Sequence, residues 1–241
     1  MLSIENLTIN FESLTAVDDF NFEFAPGKIH GLIGPNGAGK SSLLKACVGL
    51  ISDYQGKIKY NDKNLIENRQ WVKNNCGYAP EDAVLFPYLS GEEFLRLIAS
   101  IRNNDKKSMD KQVSFFITLI AINDKKDELI VNYSHGMRQK LAVAAALIGN
   151  PQFIIIDESL NGLDPVALYR LKKYLMELAA GGKTIILSSH ILPLIRDWCD
   201  PIVIMNKGIL IKAWTKKELI KIEDQESRNL EEIFISLADN S

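Results

Sequence analysis

Gly34-Pro35-Asn36-Gly37-Ala38-Gly39-Lys40-Ser41 follows G-x-x-x-x-G-K-[ST], the pattern of a loop that wraps phosphate. Before it, Lys28-Ile29-His30-Gly31-Leu32-Ile33 reads as a buried strand, and after it Ser42 to Val48 reads as a helix. That strand–loop–helix setting is the context the pattern requires. Glycines let the backbone close around phosphate oxygens. The N–H groups of the loop and of the first helical turn then point at the anion. Lys40 is expected to reach the β- and γ-phosphates of a nucleoside triphosphate, and the Ser41 hydroxyl to ligate Mg²⁺. The loop together with Ser42 forms the candidate nucleotide-binding set.

Composition bounds the rest. The 241 residues suit one large domain, and 46% of them are apolar, enough for a substantial core. A formal charge of −2 and the absence of any basic tract argue against nucleic-acid binding. Cys47, Cys76 and Cys199 stand far apart without a C-x-x-C, which fits buried thiols in a reducing compartment. The start Met1-Leu2-Ser3-Ile4-Glu5-Asn6 has no signal-peptide pattern. The longest uncharged stretch, Leu141 to Ile156, is interrupted by Gly149-Asn150-Pro151, whereas a spanning helix needs about 20 continuous apolar residues. The chain is expected not to cross a membrane by itself.

Along the chain, residues 2–9 and 20–24 alternate as half-buried antiparallel strands do, and 57–60 adds another short strand. Residues 91–150 carry charged and apolar residues at helical spacing. Phe153 to Asp157 and Thr184 to Ser188 read as buried strands. Asp164-Pro165 starts a helix that Gly181-Gly182 ends. Ile202 to Met205 and Ile209 to Lys212 form a hairpin around Asn206-Lys207-Gly208, and a charged amphipathic tail follows from about 215. The expected fold is α/β: a P-loop nucleotidase core with an N-terminal antiparallel β layer and an inserted helical subdomain. The β layer and core take residues 1–85 and 151–212, the helical subdomain 86–150, and the helical tail 213–241.

A phosphate loop leaves open what holds the metal, what positions the water and what acts as the switch. Asp157 closes an apolar strand, the position from which an Asp holds Mg²⁺, often through water. Glu158 is next, placed to polarise the attacking water. His190, past the strand that ends at Ser188, is positioned to report the γ-phosphate. Tyr133-Ser134-His135-Gly136-Met137-Arg138-Gln139-Lys140 opens another helix, with Ser134 as its N-cap and Gly136 allowing close backbone approach. Positive charge in that first turn opposes the helix dipole, a conflict that a docked anion removes.

Taken in order, Gly34–Ser41, Ser134-His135-Gly136-Met137-Arg138, Phe153–Glu158, Gly162-Leu163-Asp164 and His190 resemble the motifs of ATP-binding-cassette (ABC) ATPases over essentially the whole chain. The resemblance implies ATP as substrate. It also implies a second cassette packed head to tail, identical or different, whose bound nucleotide is met by Ser134 and Gly136. Asp164 then lies in the loop linking the two sites. Phe11 stands where the family stacks an aromatic on adenine. The sequence departs from the family at His135 (often Gly), Glu81 (often Gln, here a carboxylate able to approach Mg²⁺), Ser159 (often Pro) and Phe11 (often Tyr). None removes a group hydrolysis needs, so an active site is expected.

The Ala79-Pro80-Glu81 variant, Tyr-Ser-His-Gly-Met and the ending Asn229 to Leu237 look like a bacterial exporter-type subfamily. That resemblance implies a peripheral subunit at the cytoplasmic face of the cell membrane, partnered by a multi-span permease. Phe86-Pro87-Tyr88 reads equally as a docking cluster for that permease or as packing inside the helical subdomain. Two alternatives stay open: a single-cassette ATPase serving cofactor or complex assembly, and a nucleotide-dependent regulatory binding module.

Overall fold

The computed structural model describes residues 1–12, 14–102 and 106–239. In chain order the elements are β1 (Leu2–Phe11), β2 (Leu14–Phe24), β3 (Lys28–Ile33), α1 (Lys40–Cys47), β4 (Gln55–Tyr60), β5 (Lys63–Asn64), α2 (Arg69–Asn75), β6 (Cys76–Ala79), α3 (Gly91–Ile101) and α4 (Lys106–Leu119). They continue with α5 (His135–Leu147), β7 (Phe153–Asp157), α6 (Pro165–Ala180), β8 (Thr184–Ser188), α7 (Leu192–Trp198), β9 (Ile202–Asn206), β10 (Ile209–Trp214), α8 (Lys216–Glu226) and α9 (Leu230–Asp239). The architecture is α/β. The chain divides into two units, Met1–Lys73 with the chain from Ala179 onward, and Asn74–Leu178.

In the first unit, an antiparallel sheet runs β2-β1-β4-β5. Leu2 and Ile4 are buried on one phase of β1, and Leu7 and Ile9 on the other. A bulge at Asn6, with φ 49°, makes the change. The Asn6 amide donates to Asn21 Oδ1 at 2.7 Å and its side chain to Asp19 Oδ1 at 2.9 Å. The bulge is why alternation showed only parts of these strands. The second sheet region of this unit is ordered β10-β9-β3-β8. β3 is parallel to β8 and β9, as its buried apolar run predicts. β9 and β10 form the expected hairpin, with Lys207 and Gly208 both at positive φ, as a two-residue turn of this kind requires. Leu32, Ile33, Leu43, Leu44, Ile186 and Val203 make the core under the phosphate loop.

In the second unit, β6 and β7 pair in parallel, from Cys76 beside Phe153 to Ala79 beside Ile156. Strand β6, helices α2 and α7 and the early start of α1 at Lys40 are additions to the sequence reading. The stretch of helical spacing contains α3, α4 and α5. Ser90 caps α3 with a full capping box: its hydroxyl accepts from Glu93 N, and Glu93 accepts from Ser90 N at 2.8 Å. Arg96 joins Glu92 and Asp110, and Lys126 reaches Glu92 at 2.6 Å, so this polar face is cross-linked by charge. All three cysteines are buried thiols. Among the described residues no helix is long and apolar enough to cross a membrane.

Candidate active site

β3 ends at Ile33 and delivers the chain into the phosphate loop; α1 begins at Lys40. Gly39 has φ 95°, and a Cβ there would lie 2.1 Å from Ala16 O, so only glycine fits. A Cβ on Gly34 would lie 2.2 Å from Met205 O. The loop is thus clamped between β2 and β9, with Gly208 N donating to Ala38 O at 3.0 Å. Pro35, Asn36 and Gly37 form its outer rim, Asn36 and Gly37 exposed. Lys40 is 7% exposed, and its Nζ donates to Gly34 O at 2.8 Å and Pro35 O at 3.2 Å. The ammonium is therefore held inside the loop, where phosphate oxygens would exchange with those carbonyls. Ser41 and Ser42 follow in the first turn of α1.

His190 lies just beyond β8 and is exposed. With Ser189 it lines a cavity of about 240 Å³ together with Gly34, Pro35, Asn36 and, from α9, Phe234. The sequence placed His190 by its strand; nothing in it brought Phe234 to the phosphate loop. Phe11 ends β1 opposite Leu14 and is 45% exposed, so a ring face is open to solvent.

The acidic half of the candidate set belongs to the second unit. β7 carries Asp157 at its end, 1% exposed, and Glu158 follows, 6% exposed. Tyr78 of β6 donates its hydroxyl to Asp157 Oδ2 at 3.2 Å. Burial, and then Asp157 itself, push the Tyr78 phenol up, so it stays a donor. Glu158 has φ 54°, a left-handed conformation uncommon outside glycine. Asn161 Nδ2 donates to Glu158 Oε2 at 3.0 Å. Glu81, beyond β6, is exposed. Neither Tyr78 nor Asn161 was singled out from sequence.

Ser134 caps α5 as expected, its hydroxyl accepting from Met137 N at 3.2 Å. Gly136 meets the loop before α6: a Cβ there would lie 2.3 Å from Gly162 O. One on Gly162 would lie 2.1 Å from Gln139 Oε1. Asp164 caps α6, accepting from Val166 N and Ala167 N at 3.0 Å each. It also pairs with Lys140. The Lys140 ammonium, then the Ala167 amide, hold the Asp164 carboxyl below the usual carboxylate range. The first turn of α5, the Gly162 loop and Asn161 on Glu158 therefore form one continuous set of contacts.

In the first unit Ser41 carries a hydroxyl oxygen, and in the second Asp157 carries carboxylate oxygens, each a hard donor of the kind Mg²⁺ takes. One or two protein oxygens, completed by phosphate and water, is how a nucleotide-bound magnesium is held.

A phosphate loop with a buried lysine, an Asp-Glu strand end and a capped helix clamped to the following loop define a P-loop ATP-binding domain. The family model for the ABC transporter matches residues 17–161. The ABC-type transporter ATP-binding protein EcsA of Bacillus subtilis is 30% identical over 237 residues, covering 98% of this chain and 96% of its own. The bacitracin transport ATP-binding protein BcrA of Enterococcus faecalis is 32% identical over 222 residues, covering 92% of this chain and 71% of its own. A solved structure of an ATP-binding subunit of an ABC transporter superposes with a TM-score of 0.90 at 28% identity, covering 98% of this chain and 99% of that one. The chain belongs to the ABC transporter family, as an ATP-binding subunit that hydrolyses ATP.

Proposed function

We propose that the chain powers an exporter. Two cassettes, identical or different, close on two ATP molecules, and the motion passes to a separate multi-span permease at the cytoplasmic face of the cell membrane. The observation that carries this reading is the set of contacts from the capped α5 N-terminus through Gly136–Gly162 to Asn161 and Glu158. A plain nucleotide binder has no use for tying a partner-facing helix end to a hydrolytic carboxylate. The likeness to a bacitracin transport protein supports a transport role. Val84, Phe86 and Tyr88 supply an exposed apolar face for the permease: Tyr88 is 81% exposed, and Phe86 is 56% exposed while its ring rests near Phe94.

In this reading Phe11 stacks on adenine, and the backbone amides of Asn36 to Ser42 with Lys40 bind the phosphates. Ser41, Asp157 and Glu81 would hold Mg²⁺, which would supply charge neutralisation on the phosphates. Glu158 accepts a proton from the attacking water, and His190 contacts the γ-phosphate. Ser134 and Gly136 present the α5 N-terminus to the nucleotide of the other cassette, where its dipole meets developing negative charge. Asp164 links the two sites.

A mild-detergent pull-down of the tagged chain from its native membranes, with partners identified by mass spectrometry, tests the assignment. A multi-span membrane protein at near-equal stoichiometry is expected. Soluble partners alone would overturn the exporter reading in favour of an assembly ATPase.

A further inference from the structure

Ser159 is wholly buried directly after Glu158. Its Oγ lies 2.6 Å from Pro80 O, 3.2 Å from Ala79 O and 3.1 Å from Asp157 O. A hydroxyl has one proton to donate, and the shortest contact marks Pro80 O as its acceptor. That carbonyl belongs to the Pro80–Glu81 peptide, so the bond sets the plane in which Glu81 leaves β6. On the other side, Ser159 follows a left-handed residue, and a left-handed non-glycine persists only where its surroundings hold it, at a cost of about 1–3 kcal/mol. Asn161 holds the Glu158 side chain, and Ser159 holds the backbone one residue on.

We propose that Ser159 is a positioning residue for hydrolysis: its hydroxyl pins the Glu158 turn to the Pro80–Glu81 peptide. Alanine at 159, with neither a hydroxyl nor the fixed φ of proline, leaves the Pro80 carbonyl without this bond and the turn less restrained. None of the residues in this contact belongs to the phosphate loop. This inference rests on Glu158 acting as the base.

The test compares steady-state ATP hydrolysis and ATP affinity in the full chain for Ser159→Ala, Ser159→Thr and Ser159→Cys, with Glu158→Gln as reference. Ser159→Ala should lower kcat about tenfold, or about 1.4 kcal/mol, with KM and ATP affinity within about twofold of the parent. Ser159→Thr, which keeps the donor, should restore kcat to within about threefold. If Ser159→Ala does not fold, Ser159→Cys, a near-isostere with a weak donor, should show the same selective loss in kcat. Unchanged kcat in Ser159→Ala (or in Ser159→Cys, if only that folds), or a loss that Thr does not restore, overturns the proposal. Should Glu158→Gln abolish turnover while Ser159→Ala leaves it intact, this inference alone fails; should Glu158→Gln turn over normally, the assignment of Glu158 fails with it.

Discussion

The Tyr78 hydroxyl donates to Asp157 Oδ2 at 3.2 Å, from the strand that runs parallel beside it. It orients the carboxylate proposed to hold the metal, a supporting contact of the kind that tunes ligand geometry. Tyr78→Phe removes one hydrogen bond to a charged group, about 1.5 kcal/mol. The Mg²⁺ concentration for half-maximal ATP hydrolysis should rise about tenfold, with ATP affinity measured without metal unchanged. An unchanged metal requirement would remove Tyr78 from this role.

Gly136 and Gly162 let the α5 N-terminus and the Asp164 loop touch. A Cβ at 136 would stand 2.3 Å from a backbone oxygen, which cannot swing aside as a side chain could. Gly136→Ala should destabilise the protein by about 1–3 kcal/mol, read as a lower urea midpoint. Turnover should fall while ATP affinity stays near the parent value, since the phosphate loop is untouched. Loss of ATP affinity equal to the loss of turnover would contradict the separation.

His30 gives the fold a pH dependence. Its ring lies near Phe24, with centroids 5.2 Å apart, and Nε2 donates to Ala25 O at 2.9 Å. Nδ1 is buried and has no hydrogen-bond partner among the described residues. Burial pushes the imidazole down to about 4 from an ordinary 6.5. The unfolded chain therefore takes up the proton first as pH falls. Stability from the neutral ring is complete above about pH 6.5 and is lost on acidification through about pH 4, with about 2 kcal/mol gone by about pH 5. His30→Gln keeps a donor for Ala25 but cannot titrate in this range. Urea midpoints at about pH 7.5 and 5 should show a smaller drop for the variant than for the parent; equal drops would assign the effect elsewhere.

What was legible in the sequence follows from range of interaction. β7 and β8 were readable to the residue because isoleucine runs end at a polar residue and both faces are buried. The phosphate loop, Ser134 and Asp164 were readable because caps and glycine turns act within a few residues. β1 and β2 were read only in part, since the bulge at Asn6 shifts the alternation midway. β6 was missed because Cys76-Gly77-Tyr78-Ala79 is short and holds a glycine that weakens any strand signal. Tyr78 on Asp157 and Phe234 beside His190 join residues far apart along the chain, and no local pattern encodes them. Ser159 was visible as a departure, but its bond to Pro80 needed the fold.

Glu158 is assigned here to hydrolysis rather than to nucleotide binding. The most direct measurement is ATP turnover by the full-length Glu158→Gln chain beside ATP affinity and ATP-dependent dimerisation by size-exclusion chromatography. ATP affinity should stay near the parent value, turnover should fall about a hundredfold or more, and ATP should stabilise a dimer. Turnover equal to the parent would contradict the assignment.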